Sequence, residues 1–148
     1  MDPNPHEQDI LRAVEEDHKA LLALLTELHR AAGERNTPPE EVCRMLGQLA
    51  DHLLSHFELE ERGGYFSDAV AHAPQLADRA DGLLEEHPRM AEAARELADW
   101  ASAAMGSDTW WDELAERFGA FREKLLAHER NEDRLIQEAY TRDLGAKD

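Results

Sequence analysis

Four stretches of this 148-residue chain each carry one histidine on an otherwise apolar helical stripe, and two of those histidines have a glutamate four residues later. The residues are His18, His56 with Glu60, His87, and His128 with Glu132. Residues four apart on an α-helix share a face about one turn apart, so each His–Glu pair can aim a nitrogen and an oxygen at one point. A polar group on a buried stripe is costly unless something satisfies it. A metal cluster in the middle of a helix bundle satisfies all six together.

The stripes themselves set the fold class. The first helix is expected over roughly residues 7 to 32, with Leu11, Val14, His18, Leu21, Leu25 and Leu28 on one face. Gly33 and Asn36-Thr37-Pro38-Pro39 end it. The second runs from about Pro39 to Arg62, with Val42, Met45, Leu46, Leu49, Leu53, His56 and Glu60 inward, and Gly63-Gly64 stops it. A connector follows from Tyr65 to Ala73, with room for one or two helical turns. The third helix starts near Pro74 and keeps Leu76, Ala80, Leu83, His87, Met90, Ala94, Leu97 and Ala101 in step. Gly106-Ser107-Asp108 breaks it, with Asp108 a plausible N-cap for the fourth. That last helix carries Trp111, Leu114, Phe118, Phe121, Leu125, His128, Glu132 and Leu135 and fades near Gly145. Ala, Leu, Glu and Arg dominate and favour helix almost throughout. Short loops between long helices imply one all-α domain, an up-down-up-down antiparallel four-helix bundle spanning the chain with its core at about 7–142.

In that topology the histidines fall level. His18 and His56 lie about 14 and about 17 residues from the end where the first two helices join, and His87 and His128 each about 19 from the loop at that same end. At 1.5 Å per residue, all four sit within roughly 8 Å along the bundle axis. Unrelated core histidines have no reason to be level. By the same measure His29, on the face of His18, is about 16 Å along the helix and too far to join. His6 and His72 read as terminal and connector residues.

Charge narrows the function classes. A formal net charge of −17, with the Lys and Arg residues dispersed, argues against nucleic acid and anionic membrane as partners. The opening Met-Asp-Pro-Asn-Pro lacks the regions of a signal peptide, and no apolar run is long enough to span a bilayer. Cys43 is the single cysteine, so no intrachain disulfide forms, and a reducing, cytoplasmic location is expected. Cys43 stands outside the His/Glu set and reads as a small helix residue. No nucleotide loop or nucleophile triad is present.

Four histidines and two glutamates exceed the needs of one tetrahedral zinc. Six N/O ligands at one level suit two metals with carboxylates free to bridge them, and the mixture favours iron, manganese or zinc over calcium or magnesium. The pattern H…HxxxE…H…HxxxE, written here as His18, His56-Phe57-Glu58-Leu59-Glu60, His87 and His128-Glu129-Arg130-Asn131-Glu132, resembles the hemerythrin-like family, the HHE cation-binding domain. The resemblance covers about residues 10 to 136. It implies a non-haem di-iron centre that meets dioxygen, nitric oxide or peroxide, in members that carry oxygen, sense, handle iron or detoxify. Two iron ions are therefore the expected cofactor, with zinc or manganese as alternatives.

This chain departs from the oxygen-carrier branch, which has HxxxH on the third helix and HxxxxD on the fourth. Four past His87 stands Ala91, so one histidine is missing, and Asp133 competes with Glu132 as the terminal carboxylate. Glu132 is favoured because it stays on the apolar stripe. With a histidine short, peroxide or nitric oxide chemistry and iron handling stand beside reversible oxygen carriage. A di-iron oxidase or catalase-like enzyme, and a non-redox bundle holding zinc or no metal and acting through protein contacts, are the rival readings. His52, one turn before His56, reads as packing or partly exposed, with a supporting role as the alternative. Glu58 should point to solvent. Tyr65 reads as a capping aromatic whose phenol could alternatively donate to a bound ligand or coordinate iron. Pro88 either opens room beside the metal or is a tolerated bend.

Overall fold

The computed structural model describes residues 3–145, with side chains described to residue 141. Among the described residues there is no strand. Helix α1 spans Pro5–Glu34, α2 Pro39–Arg62, the two-turn α3 Tyr65–His72, α4 Ala77–Ala104 and α5 Trp110–Gly145, with a 3₁₀ turn at Pro74–Leu76 leading into α4. No helix is long and apolar enough to cross a membrane among the described residues.

The helix ends follow local chemistry. α1 begins two residues before the expected start near residue 7 because Asn4 caps it: its Oδ1 accepts from Glu7 N at 2.8 Å while its Nδ2 donates to Glu7 Oε1 at 2.8 Å. Pro5 at the first helical position gives up no hydrogen bond there. The expected cap of the last helix is displaced by one residue. Thr109, not Asp108, precedes Trp110; its carbonyl accepts from Glu113 N at 2.9 Å and its hydroxyl donates to Glu113 Oε2 at 3.0 Å. Between α2 and α3 the chain turns within two residues, which Gly64 permits by adopting φ 85°. That sharp turn sets Tyr65 and Phe66 over the end of α2 instead of in an open loop.

The four long helices pack as a closed bundle: α1 against α2, α2 against α4, α4 against α5, and α5 back against α1, with α3 against α1, α2 and α5. Of the four neighbouring pairs of long helices, α1 and α5 touch least. Two apolar clusters fill the interior. One joins Leu21, Leu25, Leu46, Leu53, Phe57, Met90, Leu97, Phe118 and Leu125; the other joins Val14, Tyr65, Phe66, Leu76, Leu83 and Leu135. Along α1 the change from one to the other falls at His18, along α4 at His87, and along α5 between Leu125 and Leu135. The bundle is therefore apolar at both levels and polar in one layer between them.

Candidate metal centre

That polar layer is formed by His56, Glu60, His87, His128, Glu129 and Glu132, all 2% exposed or less, with half-buried His18 beside them. The histidines stand in two pairs. The ring centroids of His18 and His56 are 6.2 Å apart, and those of His87 and His128 are 5.0 Å apart. Each pair has its own glutamate. Glu129 Oε2 is 3.1 Å from His18 Nδ1, and Glu129 Oε1 is 3.1 Å from His56 Nε2. Glu132 Oε2 is 3.0 Å from His87 Nε2 and 2.8 Å from His128 Nε2. Glu60 lies between the pairs, with Oε2 3.3 Å from His56 Nε2 and Oε1 3.3 Å from His87 Nε2.

All six sequence-derived candidates, His18, His56, Glu60, His87, His128 and Glu132, thus meet in one place. The seventh, Glu129, is missing from the i, i+4 pairs because it adjoins His128. A legible signal for it exists nonetheless. Glu129 and Glu132 are three apart and Leu125 and Glu129 are four apart, so Glu129 shares the buried stripe of α5. Asp133 stays exposed at the rim, and Glu58 is exposed as its position predicts. Half-buried His52 reaches the layer only indirectly, through Asp17.

The outward ring nitrogens explain how the layer is oriented. His56 Nδ1 donates to Asp17 Oδ2 at 2.7 Å, His87 Nδ1 to Glu61 Oε2 at 2.8 Å, and His128 Nδ1 to Glu86 Oε1 at 2.7 Å. A neutral imidazole that spends its hydrogen outward turns a lone pair inward on Nε2. Those lone pairs face carboxylate oxygens at 2.8–3.3 Å. Two lone pairs so placed repel unless a cation, proton or metal, stands between them.

The structure carries two signs of which cation fits. His56 Nε2, both oxygens of Glu60, both oxygens of Glu129 and Glu132 Oε1 are buried without a properly aligned hydrogen bond, although His56 Nε2 is close to both Glu60 and Glu129. These atoms converge on shared points more than on each other. Second, two ligands each about 2.1 Å from a metal and about 90–109° apart are separated by about 3.0–3.4 Å, close to the 2.8–3.3 Å spacings found here. Among the described residues, three groups bring one ligand atom from each member within 4.8 Å of the others: His18, His56 and Glu129; His87, His128 and Glu132; and His56, Glu60, Glu129 and Glu132.

Without a metal, the layer distributes protons unevenly. Burial opposes charge on His56, but Glu129 and Glu60 outweigh it and raise its pKa to about 10. Burial would raise Glu129, but His18 and His56 hold it well below the usual carboxylate range. Glu132 is pushed well above that range by burial and by the neighbouring Glu60. Burial also lowers His87. Crowded carboxylates that cannot all ionise alone are what a multivalent cation relieves.

Aromatic rings wall the layer. Phe57 stacks on His87 with centroids 3.9 Å apart and planes 7° from parallel, and Phe66 approaches the same ring at 5.9 Å. Buried Tyr65 lies under the influence of Glu132, Glu60, Asp133 and Glu129, and burial with those charges pushes its phenol far above its ordinary pKa.

No curated protein and no solved structure gives a significant match to the chain. The family model for the hemerythrin HHE cation binding domain matches residues 9–140, every element from α1 to α5. With the buried His/Glu layer in place on those helices, the chain belongs to the hemerythrin HHE cation-binding domain family.

Proposed function

We propose that this protein binds two iron ions in an up-down-up-down bundle and uses them to interact with dioxygen, nitric oxide or peroxide. His18, His56 and Glu129 would hold one ion, His87, His128 and Glu132 the other, and Glu60 would span the two. The observation that carries this reading is the pairing itself: two histidine–histidine–glutamate groups, with the two oxygens of one further glutamate each turned to a different pair. A single tetrahedral zinc uses four such ligands and leaves the others buried and unsatisfied. Mixed imidazole and carboxylate donors suit iron, and a bound iron pair supplies reversible electron transfer to small oxygen or nitrogen ligands.

The chain's own part is to fix geometry and exclude water. Asp17, Glu61 and Glu86 hold three imidazoles by their outer nitrogens, which fixes both tautomer and ring direction. Phe57 and Phe66 shield His87. Elemental analysis of untagged protein made in iron-replete cells is expected to give close to two irons per chain. Zinc or no metal, resistant to reconstitution, would leave the bundle standing and remove the redox function. Reversible spectral change with oxygen or nitric oxide, compared with steady peroxide turnover, then separates binding or sensing from catalysis.

A further inference from the structure

Three clefts approach the polar layer, and they differ in what they meet. Between α4 and α5, a cleft of about 400 Å³ beside Met90 and Phe121 reaches His128, whose outer nitrogen is already taken by Glu86. Between α2 and α4, a groove of about 310 Å³ beside Pro88 and Ala91 reaches His87, which Glu61 holds by its outer nitrogen and Phe57 covers by its face. The third, about 530 Å³, lies between α1 and α5 and is lined by Val14, His18, Leu22, Tyr65, Asp133 and Ile136. It lies between the least closely packed neighbouring pair of long helices.

Two features single out this third cleft. Among the described residues no outer carboxylate is hydrogen-bonded to His18, and its side chain keeps 17% of its exposure, whereas the other three layer histidines are closed off. Tyr65 on the same wall is only 6% exposed and lines the cleft together with His18, beside the layer histidine that the cleft reaches. A tyrosine so placed pairs an apolar ring with a hydroxyl that can donate a hydrogen bond.

We propose that the α1–α5 cleft admits a small uncharged ligand to the centre and that Tyr65 donates a hydrogen bond to it there, selecting ligands that present an acceptor atom. The assignment rests on the metal-binding function proposed above. Val14, Leu22 and Ile136 give the route apolar walls, and its charged lining of Glu15, Asp133 and Lys19 is acidic on balance, so uncharged molecules of two to four atoms pass more easily than anions. Tyr65 is a positioning and specificity residue; the site's metal ligands are complete without it.

Nitric oxide added to the reduced, iron-loaded full chain is the probe. Tyr65→Phe keeps the ring against Phe66, 5.2 Å away by centroids, and removes only the hydroxyl. Iron content is expected to be unchanged, association equally fast, dissociation faster by about fivefold to tenfold, and the N–O stretch shifted, as loss of one hydrogen bond requires. Leu22→Trp, which fills the α1–α5 cleft, is expected to slow association at least tenfold, while Ala93→Trp in the α4–α5 cleft leaves it unchanged. Wild-type dissociation and N–O stretch in Tyr65→Phe overturn the donor role. So does loss of a visible phenolate band, since the phenol would then be a metal ligand. Unchanged association in Leu22→Trp overturns the route. A wild-type chain that takes up no iron overturns the metal reading itself, a result visible before any kinetics are measured.

Discussion

Glu129 is the residue on which sequence pattern and geometry part most clearly. It lies between His18 and His56 at 3.1 Å from each, one position after a histidine that belongs to the opposite pair. Replacing it with alanine removes a carboxylate from two of the three groups and leaves His87, His128 and Glu132 intact. Glu129→Ala is therefore expected to lose about one metal per chain by elemental analysis and to keep the other. Loss of both, with the fold intact by circular dichroism, would show that the two positions fill only together. The outer carboxylates allow a finer test. Glu86 is half exposed and touches the centre only through His128 Nδ1. Glu86→Gln is expected to weaken metal binding by about 10–100-fold in a chelator competition while thermal stability of the metal-free chain barely moves. An unchanged affinity would make that contact a surface ion pair of little consequence.

At the level of elements, α4 runs unbroken past Pro88, although an internal proline forfeits one helix hydrogen bond. Pro88 is exposed and lines the groove above His87, so its ring satisfies no buried group. Pro88→Ala is expected to stabilise the chain by about 1–3 kcal/mol in urea unfolding. Destabilisation instead would mean that the proline is needed to seat His87. Phe57 makes the opposite case. It is buried in α2, belongs to the larger apolar cluster and stacks on His87, so it joins core and site. Phe57→Ala is expected to cost about 3–5 kcal/mol and to loosen metal binding as well. Phe57→Leu, which restores apolar volume without the flat ring, separates the two effects. α5 gives the site most, with His128, Glu129 and Glu132 on little more than one turn, and it is anchored at its start by Trp110 Nε1, which donates to Ala101 O at 2.9 Å.

For the whole molecule, the polar layer makes stability depend on protons and metal together. His56 has its pKa raised above the ordinary 6.5 to about 10 when folded. Its contribution is therefore fully present below pH 6.5 and is lost as pH rises through about 10. Glu132, also raised, loses its contribution in the same direction. Metal-free protein is thus expected to lose stability in urea between pH 6.5 and 10, the range His56 sets. Metal must displace those protons, so loading is expected to release protons into weakly buffered solution and to raise the melting temperature most at high pH. A metal-free chain equally stable across that range would show that His56 and Glu132 are not held as the layer's geometry requires.

The amino-acid sequence by itself determined the helices and the level at which polar residues interrupt them. Spacings of three and four read from a single strand of residues specify which face each side chain takes, and that is enough to bring His18, His56, Glu60, His87, His128 and Glu132 into one layer. It also indicated, at Gly63-Gly64, where α2 must stop. What the tertiary structure decided is partnership. Which histidine faces which glutamate depends on rotation of one helix against another, which no period along the chain encodes. So Glu129 joined His18 and His56 from α5, Asp17, Glu61 and Glu86 took the outer nitrogens from neighbouring helices, and Tyr65 met the cleft between α1 and α5, the neighbouring long helices that touch least. Those are contacts between residues distant in sequence, fixed by packing of whole helices, and they exist only once the bundle has closed.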